Sequence, residues 1–428
     1  MKIEKTAEKL LQSIKKSTCS FTTASHAMER LENHGFEEIS MQDEWVISEG
    51  GKYFLNIYDS GVLAFTVGSR IGGMLKIAAA HTDHPCLYLK PNPEMIVKGY
   101  GKVNVEIYGG AILNTWLDRP LSVAGKVALK SDDAFHPVKR LVDFQRPLFT
   151  IPNLAIHLNR NINKGIELNR QTDMQPVCAM LEENLNKNEF FMDYLAEELS
   201  VEKTDILDYE LYVYDAEEGC VLGLDNDFIS SPRLDNITSV EACIEGILHS
   251  HPEEGIHMIA LFDNEEIGSR TKQGADSELL SMLLEKLYLS LDQTRESYIN
   301  AVLGGFLLSV DVAHGFHPNK PEKSDPTNIN LLNGGIVIKR SSSQSYATDS
   351  ESIAMIEQLC ENSEIPYQTY AVRSDGTTGS TLGTIANKYL PMRSADIGVP
   401  VLAMHSAREM MGIKDQAYLE ELLKNYFA

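Results

Sequence analysis

The sequence has no long apolar run. Nothing in its 428 residues approaches the roughly 18 consecutive apolar positions of a membrane-spanning helix, so no membrane partner is expected. Cysteine is scarce: Cys19, Cys86, Cys178, Cys220, Cys243 and Cys360 are scattered and form no CxxC pair. They read as reduced thiols, which predicts a cytoplasmic location. The opening segment MKIEKTAEKLLQSIKK carries charge throughout, with neither an apolar core nor a cleavage site, so no secretory signal is expected. Positive charge is in deficit, 38 Lys+Arg against 61 Asp+Glu, for a net of −23. A surface of that sign repels phosphate backbones and argues against nucleic acid as a partner. Internal repeats and low-complexity segments are missing too. So are a GxSxG-type nucleophile elbow and any Cys set near a His in a catalytic pattern.

What remains is an ordinary globular composition, 43% hydrophobic and 23% charged. The length exceeds the size at which one hydrophobic core usually stops growing, so two domains are expected. Helical spacing predicts two helices over 2–35. YFLNIYD and VLAFTVG alternate as a hairpin does, and LKIAAA (75–80) reads as a buried central strand. Between 91 and 232 short strand-like pieces separated by turns predominate, with one helical patch near 179–200. That stretch is expected to form an inserted β-rich domain. After 233 an α/β rhythm sets in. NITSVEACIEGILHS reads as an amphipathic helix, and GIHMIALF, FLLSVDVA, PYQTYAV and VPVLAMH as strands between further helices. The expected fold class is α/β: a mostly parallel central sheet flanked by helices, built from 1–90 and 233–428, with 91–232 inserted.

In such sheets ligands bind beyond the carboxyl ends of the strands. LKIAAA exits into His81-Thr82-Asp83, and GIHMIALF into Asp263-Asn264-Glu265-Glu266. Asp311 and His314 lie near the end of FLLSVDVA, and VPVLAM exits into His405. Asp235 precedes a helix start. Imidazole nitrogens and carboxylate oxygens are the donors that zinc accepts, and paired ions need a bridging carboxylate with capping ligands for each. Asp235 is placed to bridge. His81 and Asp311 can cap one ion and Glu266 and His405 the other, although spacing leaves that division open. Strand periodicity puts Asp83 on the same face as His81, where it can orient the ring. Of the adjacent pair Glu265-Glu266, one can bind metal and the other can serve as general base. Each piece alone has a plainer reading: a His bonded to a nearby Asp, a solvated turn, a helix cap, a core histidine. Their common placement at strand exits favours a dinuclear centre. SDGTTGST (374–381) lacks the lysine of a phosphate-binding loop and reads as a tight polar turn.

At these residues the sequence resembles the aspartyl aminopeptidase family of zinc metallopeptidases. The resemblance runs through AAAHTDHPCLYLKPNP (78–93), YGGAILNTWLDRPLSVAGKV (108–127), IPNLAIHLNR (151–160), SPRLDNITSV (231–240), FDNEEIGSRT (262–271), SVDVAHGFHPN (309–319) and LAMHSAREMMG (402–412). It implies a metalloaminopeptidase with two divalent ions per subunit, zinc or alternatively cobalt or manganese. His81, Asp235, Glu266, Asp311 and His405 match the ligands, with Asp235 as bridge. Glu265 matches the general base and Asp83 the support of the histidine ligand. His157 matches a histidine of the inserted domain that reaches a neighbouring subunit's active site; a three-histidine reading would instead count His81, His157 and His405 as the zinc set. His314 and Lys339 match positions of the substrate pocket, where a lysine suits an acidic first residue. The resemblance also implies cytoplasmic dimers that build into a tetrahedral dodecamer. Arg340 and the Ser-rich loop after Lys339 depart from the family wording. Two rivals remain open at this point: an N-acyl amino acid amidase or deacetylase using the same centre, and a noncatalytic peptide-binding assembly.

Overall fold

A computed structural model describes residues 2–165, 167–181, 189–377 and 379–428. The chain forms two compact units. The first comprises Met1–Asp83, Gly219–Met404 and Glu409–Ala428; the second comprises His84–Glu218 and the short return His405–Arg408.

The first unit is an α/β fold around a nine-stranded mixed sheet. In spatial order its strands are Glu37–Glu38, Lys52–Ile57, Gly61–Val67, Glu254–Phe262, Arg70–His81, Phe306–Val310, Arg393–Gly398, Ile336–Arg340 and Tyr367–Ala371. The central four run parallel. Along Arg70–His81, alternate side chains enter different cores: Ala78 and Ala80 pack on one face, Ile77 and Ala79 on the other. Helices Leu234–Leu248 and Asp415–Tyr426 cover the first face, and Leu279–Ser290 and Arg295–Gly304 the second. A strand buried on both faces needs no alternation, which is why LKIAAA is a continuous apolar run.

Two details depart from the sequence expectation. Leu234–Leu248, read as amphipathic, is buried on every side. Its carboxylates are met by neighbouring helices: Glu241 by Lys9 at 3.0 Å, by Arg30 and by the Ser13 hydroxyl, and Glu245 by Arg30 at 2.6 Å and Lys424 at 3.3 Å. Paired charge lets a polar face be buried. The strand read in VPVLAMH is Pro400–Leu402, and it lies in a separate five-stranded sheet between Ala313–His314 and Glu409–Gly412. The central position belongs to Arg393–Gly398, whose RSADIG sequence lacks a strong apolar signature.

The second unit is a six-stranded antiparallel sheet in the order Val138–Asp143, Leu121–Leu129, Ile206–Asp215, Cys86–Val97, Tyr100–Tyr108, Val177–Met180. The helix expected near 179–200 is found as Phe190–Leu199; residues 182–188 of that patch lie outside the described residues, as does Thr378 of the 374–381 turn.

Candidate metal centre

Strand register brings the first acidic and imidazole groups to one level. Phe262 pairs with His81, and Ser309 pairs with Ala79, so Asp263 and Asp311 follow at the same end of the sheet. His81 is the last residue of its strand and is almost fully buried. Asp235 arrives from the mouth of Leu234–Leu248, where Asp235 and Asn236 have non-helical dihedrals and regular helix starts only after them. Two groups hold this mouth in place. The Asp235 N–H donates to a Glu409 carboxylate oxygen at 2.9 Å, and the Asn236 amide donates to the Val310 carbonyl at 3.1 Å.

The Glu265-Glu266 pair sits on a short 3-10 turn entered through Asn264. That residue takes φ 64, a left-handed conformation that asparagine tolerates better than most residues. Asp83 fixes the turn. Its two carboxylate oxygens accept the backbone N–H groups of Glu265 and Glu266, each at 3.1 Å, and one of them lies 3.3 Å from His81 Nδ1. Asp83 lies beyond the strand's last residue, so strand periodicity does not set its side; His81 Nδ1 also meets the Asp83 backbone carbonyl at 3.0 Å, and the Asp83 carboxylate aims the glutamate pair.

His81 Nε2 lies 3.4 Å from Asp235 Oδ1 and 3.6 Å from Asp311 Oδ1. These separations are too long for good hydrogen bonds. They match the spacing of about 3.3 Å between tetrahedral ligands that each stand about 2.0 Å from one zinc ion. His81, Asp235 and Glu266 each bring a ligand atom to within 4.8 Å of the others. One imidazole among several buried carboxylates is a donor set suited to a divalent cation.

The electrostatics agree with that fit. Burial works against charge on His81, yet Asp235, Asp311 and Asp83 together hold its pKa well above the usual imidazole value. Burial also opposes the Asp311 carboxylate, but Lys339 and His81 keep it below its ordinary range. Glu265 is pushed up to about 7, first by desolvation and then by Asp311, Asp83 and Asp235, with His81 opposing.

Lys339 lies against this cluster. It is 2% exposed, its Nζ stands 3.4 Å from Asp311 Oδ2, and it faces the Tyr346 ring at 5.5 Å. Burial disfavours its charge, but Asp311, Tyr346 and Asp396 raise its pKa overall. His314 is exposed on Ala313–His314. The structure thus brings His81, Asp83, Asp235, Glu265, Glu266, Asp311 and Lys339 together in the first unit.

His157 and His405 belong to the second unit. His405 has φ 66, and its carbonyl accepts the Ile112 N–H at 3.0 Å. His157 is exposed on a loop with Leu154, Ile156 and Leu158, which are 53%, 52% and 75% exposed. Sequence reasoning missed Glu409, Asn236 and Tyr346. Glu409 lies inside the quoted motif LAMHSAREMMG (402–412), with no spacing signal to link it to Asp235; only the folded chain makes that pairing visible.

Known proteins resemble this chain over nearly its whole length. A family profile described as Aminopeptidase I zinc metalloprotease (M18) matches residues 13–427. The "Probable M18 family aminopeptidase 2" of Clostridium novyi (strain NT) is 44% identical over 428 residues, covering 99% of this chain and 98% of that protein. The solved structure of Ape4 in complex with Nbr1 superposes with a TM-score of 0.95 at 32% identity, covering 99% of this chain and 86% of the other. The mApe1 dodecamer of S. cerevisiae gives a TM-score of 0.85 at 25% identity, covering 98% and 96%. With a profile match over nearly its whole length and relatives of this similarity, the chain belongs to the M18 aminopeptidase I family of zinc metalloproteases, metal-dependent hydrolases that release N-terminal residues.

Proposed function

We propose that this aminopeptidase works with two metal ions per subunit, uses Glu265 as general base, and favours peptides beginning with Asp or Glu. The observation that carries the proposal is the Asp83 clamp. One carboxylate grips both backbone N–H groups of Glu265-Glu266 and adjoins His81, so a candidate ligand and a candidate base are aimed by the same group.

In this reading His81, Asp235, Glu266 and Asp311, with His405, would hold the metals, and Asp235 would be the carboxylate they share. Bound zinc supplies Lewis acidity to the scissile carbonyl and lowers the pKa of attacking water toward about 7. Glu265 takes the proton of that water on a carboxylate oxygen and returns it to the leaving amine. Asp83 keeps the His81 ring in one orientation through Nδ1. Lys339, a buried cation beside Asp311, is the group that an acidic first side chain meets, with His314 at the pocket wall. Asp311 already engages Lys339, so the lysine offers partial rather than full attraction, and the preference is expected to be graded.

The second unit, read as the inserted oligomerisation domain over 91–232, carries His157 to a neighbouring subunit in a dimer that builds to a dodecamer. Exposed Leu154, Ile156 and Leu158 around His157 support that role, because an apolar cluster of this kind is expected to be covered. A cytoplasmic location fits the six free cysteines.

The test is a panel of free N-terminal Glu, Asp, Leu, Ala and Lys substrates, with N-acetylated counterparts, assayed after chelation and after zinc, cobalt or manganese is restored. Metal-dependent cleavage fastest with Glu and Asp is expected. Fastest cleavage of Leu or Ala removes the acidic preference but leaves the mechanism. A requirement for an acylated amine removes the aminopeptidase chemistry.

A further inference from the structure

Asp396 is a fully buried carboxylate that the proposed reaction does not use. It stands on the middle one of three neighbouring strands. Phe306–Val310 lies on one side, where Ser309 pairs with Asp396, and Ile336–Arg340 lies on the other. That second pairing is antiparallel, with Val337 opposite Gly398 and Ile338 opposite Ile397. Continued by one residue, this register sets Lys339 opposite Asp396. Directly opposed residues of an antiparallel pair share one face of the sheet, with Cβ atoms about 5 Å apart. Ile338 and Ile397 enter the core on the first face, so Lys339 and Asp396 belong to the second.

The Asp396 carboxylate also gathers the loops around Lys339. Oδ2 accepts the Ala347 N–H at 2.6 Å, and Oδ1 accepts the Thr381 hydroxyl at 2.5 Å. The Asp396 N–H donates to the Thr348 hydroxyl at 2.8 Å. The bonds to Ala347 and Thr348 tie down the Ser-rich loop next to Tyr346, whose ring stands 5.5 Å from Lys339 Nζ. The bond from Thr381 ties down the end of the 374–381 turn. Gly383 permits the close approach, since a Cβ there would stand 2.8 Å from Asp396 Oδ2.

Lys339 is thus shared by two carboxylates: Asp311 at 3.4 Å and Asp396 across the strand pair, both of which favour its charge. One cation between two anions leaves surplus negative charge. An incoming carboxylate is drawn to Lys339 and repelled by both aspartates. Asp311 is a candidate metal ligand, which leaves Asp396 as the group free to set that balance.

We propose that Asp396 is a positioning residue of the first-residue pocket: it holds the loops at Tyr346 and Thr381 around Lys339, and its charge limits how strongly Lys339 attracts an acidic side chain. The inference rests on the proposed role of Lys339 in meeting an acidic first residue.

The experiment measures kcat/KM of the metal-loaded enzyme for N-terminal Glu and Ala substrates in wild type, Asp396→Asn and Lys339→Met. Asparagine keeps a carbonyl oxygen for the Ala347 N–H and drops the charge. Asp396→Asn is expected to raise the Glu/Ala ratio about fivefold or more, mainly through KM for Glu, as the loss of one nearby repelling charge implies. A purely structural role would lower both substrates alike and leave the ratio where it was, so an unchanged or lowered ratio overturns the inference. Should Asp396→Asn not fold, Thr381→Val takes its place. It strips a donor from the carboxylate, leaves its charge less compensated, and should lower the ratio about twofold; an unchanged or raised ratio there overturns the inference equally. Lys339→Met tests the underlying reading separately and should lower the ratio about fivefold or more. A ratio that survives Lys339→Met removes that reading and this inference with it. A ratio that falls in Lys339→Met but does not rise in Asp396→Asn removes the inference alone.

Discussion

The two units differ in how much charge they bury. The first buries charge: His81, Asp83, Asp235, Lys339, Asp396, Glu409 and Asp415 are all buried. Burying such groups costs free energy unless each is paired or hydrogen-bonded, and here the pairings converge on one strand-exit region or on the caps around it. The second unit has a conventional antiparallel sheet, with Asp215 paired to Arg119 at 3.2 Å, and it presents apolar side chains outward at Leu154, Ile156 and Leu158. Concentrated buried charge marks where chemistry is done. Displayed apolar surface marks where a partner is expected.

The comparison can be broken most sharply at Glu265. Replacing it with Gln should lower kcat by about 10²–10⁴-fold, the range for a positioned general base, while zinc content by elemental analysis stays at the wild-type level. Simultaneous loss of zinc would make Glu265 a ligand and transfer the base role elsewhere. Next in size is Asp83→Asn, which weakens the one acceptor shared by the Glu265 and Glu266 N–H groups and adjoining His81. A drop of about 10–100-fold in zinc affinity or activity is expected, measured by chelator competition and by kcat/KM.

In the second unit, Leu158→Asp puts a charge on the most exposed residue of the apolar loop. Light scattering should then report a smaller assembly than wild type, with circular dichroism unchanged; an unaltered mass would show that this loop is not an interface. The smallest effect belongs to the ionic layer beneath Leu234–Leu248. Burial alone would raise the Glu245 pKa, but Lys9, Arg30 and Lys424 bring it down to about 2 from 4.5. A depressed carboxylate contributes stability fully above 4.5 and loses it as pH falls toward 2. Thermal melting should place Glu245→Gln about 1–2 °C below wild type at pH 7, the shift expected of about 1 kcal/mol in a protein this large. The gap should close between pH 4.5 and 2; a constant gap across that window would mean the layer acts by packing rather than by charge.

Much of this was legible in the sequence, and for physical reasons. Continuous apolar runs such as LKIAAA and GIHMIALF have only one stable use, as strands covered on both faces, and a polar cluster immediately after such a run must emerge at the sheet's edge. That logic located His81, Asp83, Glu265, Glu266 and Asp311 before any fold was known. Tertiary structure alone decided what depends on contacts between distant segments. Glu409 reaches Asp235 across 174 residues, and Asp83 reaches the Glu265-Glu266 turn across about 182, with no periodicity to announce either bond. Arg393–Gly398 takes the central position that VPVLAMH was expected to share, because sheet order is set by packing rather than by local hydrophobicity. The burial of Lys339 against Asp311 belongs to the same class, since a lone lysine in a sequence carries no sign of the carboxylate that will neutralise it. Local pattern fixes which residues leave the strands and on which face; only the packed chain fixes which of them meet.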